Sequence, residues 1–182
     1  SYKKDYLALM DFLEDSSADD EVLLQLYTAS KNYDKAYVLS QKLYERTSLI
    51  DYLGRSAIYE YESAKDKNKQ ELLERVVTKL KKVILEDQGP VYLNYLGYIL
   101  IDHEIDVKIG MSHIDRVLKM QPNSSYYLDS KAWGYYKLGE CEKAKKIMQR
   151  VVKLEGGDDP EVLSHMKKIE NCLKNKKVIS KK

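Results

Sequence analysis

The chain has 182 residues, of which 43% are hydrophobic and 33% charged, with only three prolines and eight glycines; its abundant Leu, Lys and Glu favour helix over sheet. Thirty-one basic and twenty-nine acidic residues leave a formal charge of +2 with the signs interspersed, which excludes the continuous basic stripe that nucleic-acid binding requires. No run reaches the roughly 18–20 apolar residues that a membrane-spanning helix needs.

In chain order, the opening Ser-Tyr-Lys-Lys-Asp carries no initiator Met, so an upstream targeting segment or domain is expected. Leu23, Leu24 and Tyr27 then precede Tyr33-Asp34-Lys35-Ala36, and Leu39 and Leu43 continue at three-to-four spacing, which predicts two successive helices. Leu53, Ala57 and Tyr61 mark a third helix and Leu73, Val76, Leu80 and Val83 a fourth, with the polar segment 63–71 between them as extended helix or projecting turn. Next come Leu93-x-x-Leu96-Gly97-x-x-Leu100 and Gly110-x-x-x-Ile114-x-x-Val117, closed by Pro122. The pattern returns as Leu128-x-x-x-Ala132-x-x-Tyr135 and Ala144-x-x-x-Met148-x-x-Val151. Small residues at Gly97 and Ala132 in mid-helix imply close helix-to-helix approach, because glycine there costs about 1 kcal/mol in propensity.

A helix, a short turn and a second helix recurring with a period of about 34 residues resembles the tetratricopeptide repeat. The resemblance implies an all-α, right-handed α-solenoid of helix-turn-helix units with a C-terminal capping helix. On that frame residues 1–16 are the second helix of a truncated preceding repeat, and 17–50, 51–89, 90–124 and 125–158 are repeats, the second of them longer and irregular. Residues 159–175 form the capping helix, and 176–182 a solvated basic tail. Lys131, Gly156 and the loop at 102–108 depart from the family pattern. The segments Leu93–Asp102 and Leu128–Gly139 are also similar to the final repeats of long bacterial tetratricopeptide proteins, several of them envelope lipoproteins or adaptors. Two compartments therefore stay open: the bacterial cell envelope, as a periplasmic lipoprotein, or the cytoplasm.

The family fold implies that the first helix of each repeat lines a concave surface. Leu128, Ala132 and Tyr135 share one helical face, and Asp129, Trp133 and Tyr136 another, rotated by about 100°. The same offset selects Asn94, Tyr98 and Ile101, then Gly54, Ile58 and Tyr61, and Glu21, Gln25 and Thr28. The stripe runs from polar to aromatic. Asn94, Tyr98, Tyr126, Asp129, Trp133 and Tyr136 are accordingly the candidate partner-binding residues, since Tyr and Trp bury much area with few rotors to freeze. The competing interpretation is that a neighbouring helix covers this stripe as packing. Tyr33, Tyr44, Tyr59 and Tyr95 are assigned to packing between helices. Family members that grip a carboxylate terminus place cations where this chain has Asn94, Tyr98, Asp129 and Trp133, so that mode is excluded.

Little points to chemistry. Asp102-His103-Glu104-Ile105-Asp106 is the one cluster of metal-ligand type, but it falls in a turn and lacks a second set of ligands. His113 and His165 show no sequence partner and are expected at the surface or in ordinary packing. Gly156-Gly157-Asp158 is a turn before Pro160 rather than a phosphate loop. Cys141 and Cys172 read as small, partly buried hydrophobes, or as one disulfide in an exported chain. No enzyme, metal or cofactor is expected. The leading expectation is a scaffold that binds a protein or peptide on the aromatic C-terminal half, with no nucleic acid. The alternative is a structural or assembly role, including a homodimer through Leu7 and Leu9 of the N-terminal helix.

Overall fold

The computed structural model describes residues 2–16 and 19–179, with side chains described from Asp5 to Lys174 apart from residues 7, 15 and 16–18. Every regular element among them is α-helical, and the helices fall into two compact units, Ser1–Asp87 and Gln88–Lys182.

The first unit holds α1 (Tyr2–Ser16), α2 (Asp20–Ala29), α3 (Tyr33–Thr47), α4 (Ile50–Ser63) and α5 (Gln70–Glu86). The short polar linkers carry the start signals. Asp19 accepts from the Val22 amide at 3.0 Å and Asn32 from the Lys35 amide at 3.4 Å, satisfying donors left orphaned at the starts of α2 and α3. The pattern residues Leu24, Ala36, Ala57, Val76, Leu80 and Val83 are fully buried. Glu60 is buried too, and its two oxygens accept from Arg75 Nε and Lys79 Nζ, each at 2.8 Å, so its charge is compensated twice. Tyr33 stacks on Tyr59 with ring centroids 6.1 Å apart, and the Tyr59 and Thr28 hydroxyls lie 2.7 Å apart. The expected offset stripe fails on α4: Gly54, Ile58 and Tyr61 are buried, because this helix is packed over most of its circumference. Segment 64–69 links α4 to the longer α5.

The second unit holds α6 (Pro90–Asp102), α7 (Val107–Met120), α8 (Ser125–Lys137), α9 (Cys141–Val151) and α10 (Pro160–Ile179). Asp106 caps α7 by accepting from the Ile109 amide at 2.9 Å. Gly97 and Gly110 face each other where α6 and α7 cross. A Cβ on Gly110 would lie 2.6 Å from the Gly97 carbonyl oxygen, and one on Gly97 would lie 2.8 Å from Ile114 Cδ1. Both glycines are therefore close-approach residues. Leu128, Ala132, Ala144, Met148 and Val151 form one core with Val162 and Ile169 of α10.

Three expectations change here. Ile101, placed on the concave stripe, is fully buried. The helix expected over 159–175 runs on to Ile179, into the expected tail, whose side chains lie outside the described residues. Cys141 and Cys172 are not independent hydrophobes: they form a disulfide with Cα atoms 6.3 Å apart, within the ordinary range, joining the start of α9 to α10.

Candidate functional site

The site is built on α6 and α8. Their neighbouring faces are tied together by Ser130 Oγ, which donates to Asn94 Oδ1 at 3.0 Å, and by Trp133 Nε1, which donates to Asp102 Oδ1 at 2.8 Å. Lys137 Nζ donates to the Asp102 carbonyl oxygen at 2.6 Å and lies 3.6 Å from Glu104. Asp102, Glu104 and Asp106, the acids of the turn, are thus engaged by an indole, a lysine and a helix start respectively.

The candidate residues meet different fates. Trp133, expected at the surface, is 2% exposed. Its ring stacks with His165 of α10, at 3.9 Å centroid separation and 15°, and with Tyr136, at 4.6 Å and 16°. Lys137 and Lys168 hold their ammonium groups 5.3 and 4.9 Å from the same ring, within cation–π range. Asp129, also expected to be accessible, is buried, and its two oxygens lie 2.9 and 3.1 Å from His165 Nδ1. Tyr98 is half-buried and donates to Glu161 of α10 at 2.5 Å. Asn94 and Tyr136 are half-buried, while Tyr126 is 59% exposed. Its neighbour Tyr127 is buried, and burial pushes that phenol's pKa up.

One helix explains the difference. Glu161, His165, Lys168 and Cys172 follow one another at spacings of four, three and four, and so share a stripe of α10. Val162, Met166, Ile169 and Leu173 form the adjacent stripe, which completes the α8/α9 core or lies buried beside it. With the apolar stripe seated, the polar one is carried across the aromatic face. His165, expected without an acid partner, has one in Asp129. The repeating pair of stripes was present in the sequence, but its partners lie 32 to 63 residues away in the chain, as Trp133–His165 and Tyr98–Glu161 do.

Solved structures resemble this arrangement of helices. A tetratricopeptide repeat protein from Parabacteroides merdae superimposes with a TM-score of 0.68 at 12% identity, covering 98% of this chain and 71% of that one. The chain has a tetratricopeptide-type fold. TTC0263, a thermophilic tetratricopeptide protein of Thermus thermophilus, gives a TM-score of 0.67 at 14% identity over 92% of this chain and 88% of its own. MamA gives 0.55 at 15% identity over 82% and 94%. No protein-family model matches the sequence, and no curated protein is similar to it in sequence. In this tetratricopeptide-type array α6 and α8 are the first helices of their pairs, and α10 follows the last pair.

Proposed function

We propose that this chain is a non-enzymatic interaction scaffold that takes a helix or peptide of another protein on the face of α6 and α8. The observation that carries the proposal is that this face already holds a helix. Tyr98, Asp129 and Trp133 engage α10 through a phenol-to-carboxylate bond, a carboxylate–imidazole pair and an aromatic stack. Such a face combines area with directional bonds, the usual make-up of a binding hot spot. Tyr126, with the accessible edges of Asn94, Tyr98 and Tyr136, forms the part of the face that a partner reaches first. The Cys141–Cys172 pairing favours the oxidising of the two compartments, where disulfides persist.

The test is affinity capture from extracts of the source cells with wild type, Tyr98→Ala and Tyr126→Ala, followed by cross-link mapping. Loss of the captured protein in both variants, with cross-links on α6 and α8, is expected. Capture unchanged in both folded variants overturns the assignment of this face.

A second proposal, self-association through α1, has its own support. Phe12 and Leu9 are 62% and 44% exposed, and α1, α2 and α3 border a cleft of about 500 Å³ lined by Leu13, Leu23, Leu39 and Leu43 among others. Leu7 lies outside the described side chains. Light scattering of Phe12→Glu over a concentration series tests it, with concentration-independent mass in both proteins counting against a dimer.

A further inference from the structure

The geometry points to α10 as a built-in occupant of the α6/α8 face, latched by the Cys141–Cys172 disulfide, so that a partner helix gains the full site only after the latch is reduced. This rests on the binding face proposed above and adds how access to it is governed.

Two features of α10 set the occupant's chemistry. Along one stripe α10 presents an acid to Tyr98, an imidazole to Asp129 and Trp133, and an ammonium over the Trp133 ring. A competing partner is thus a helix with an acid at one position, a planar ring that can donate to a carboxylate four residues on, and a cation three residues after that. An extended peptide cannot reproduce this stripe, because its side chains alternate between faces. The second feature is where the latch sits. Cys172 closes the same stripe, and its bond to Cys141 on α9 pins the helix at the end away from Glu161.

The chain enters α10 at Pro160, so with the disulfide intact the helix is tethered at both ends of the covering segment. Reduction removes one tether. A dithiol reductant supplies the electrons: one thiolate attacks the sulfur of Cys172, a half-buried residue, Cys141 leaves as a thiolate and takes a proton, and the reductant's second thiol closes its own disulfide, with Cys172 released as a thiol. Cys141 is shielded, which directs the attack to Cys172. Reduction alone does not eject α10, because Val162, Ile169 and Leu173 remain buried. Closed stays the ground state in both redox forms, and what changes is the population that a competing helix can capture.

The experiment needs no knowledge of the natural partner. A labelled replica of residues 160–175 carrying Cys172→Ser is titrated against the full chain, oxidised or reduced with dithiothreitol, and against the full-length double variant Cys141→Ser/Cys172→Ser. Binding at least tenfold tighter to the reduced chain and to the double variant than to the oxidised chain is expected. His165→Ala, which removes both the Asp129 pair and the stack, is expected to raise affinity further in the reduced chain, with circular dichroism verifying the fold. Equal affinity for oxidised and reduced chains overturns the latch while leaving the binding face standing. No binding to any folded form, His165→Ala included, overturns α10 as an exchangeable occupant, whatever the capture experiment shows.

Discussion

Trp133→Ala tests the structural core of these conclusions. The indole is 2% exposed, stacks with His165 and with Tyr136, and donates to Asp102. Truncating a buried aromatic of this kind removes the apolar transfer energy and leaves a cavity, together about 3–5 kcal/mol. The lost hydrogen bond adds about 1 kcal/mol or less, because the Asp102 side chain keeps 28% exposure and rehydrates. At roughly 2–4 °C per kcal/mol for a chain of this size, the melting temperature falls by about 6–24 °C. Trp133→Phe keeps most of the stack and gives up the donor, so its loss is about 1–2 kcal/mol. Urea unfolding followed by far-UV circular dichroism measures both variants, with the transition of the unit containing α6–α10 read separately if two appear. Trp133 is the only tryptophan, so wild-type emission reports this site alone and is expected to be shielded from acrylamide. A Trp133→Ala loss within about 0.5 kcal/mol, the ordinary range of a surface change, or free quenching by acrylamide, would refute the burial of this ring under α10.

Three further outcomes are expected. Full-length Cys141→Ser/Cys172→Ser unfolds about 2–4 kcal/mol more easily than the oxidised chain, since the bridge spans 31 residues; thiol titration of the unfolded wild type under non-reducing conditions should find no free thiol. Gly110→Ala loses about 1–3 kcal/mol in the same urea assay despite better helix propensity, because its Cβ would sit 2.6 Å from the Gly97 carbonyl oxygen; a gain in stability would remove the close-approach explanation. Burial works to raise the Glu21 pKa, but the Arg55 hydrogen bond and charge, helped by Tyr52 and Gln25, outweigh it and hold the carboxyl below its ordinary 4.5. A carboxylate depressed on folding stabilises above its unfolded pKa and loses that contribution as pH falls through the folded value. The stability difference between wild type and Glu21→Gln should therefore be full near neutrality and shrink below about pH 4.5; a difference independent of pH would rule out the ion pair as its source.

The sequence by itself determined the class of fold. Leu93, Leu96, Leu100, Ile114, Val117, Ala132, Ala144, Met148 and Val151, picked out by spacing, are all buried, because helical periodicity is local and each helix declares its apolar face without knowing its neighbour. Gly97 was legible for the same reason, as a small residue that local propensity does not favour. The offset that separates the two faces of α8 was legible as well, but whether the second face meets solvent was not. That depended on α10, whose Val162 and Ile169 seat it on α8 and α9 and bring His165 onto Trp133 and Asp129. The disulfide belongs with that decision, since two cysteines 31 residues apart in the chain give no distance until both helices are packed. Periodicity assigns residues to faces; only the tertiary structure decides which faces are already occupied, because occupancy is set by contacts between segments far apart in the chain.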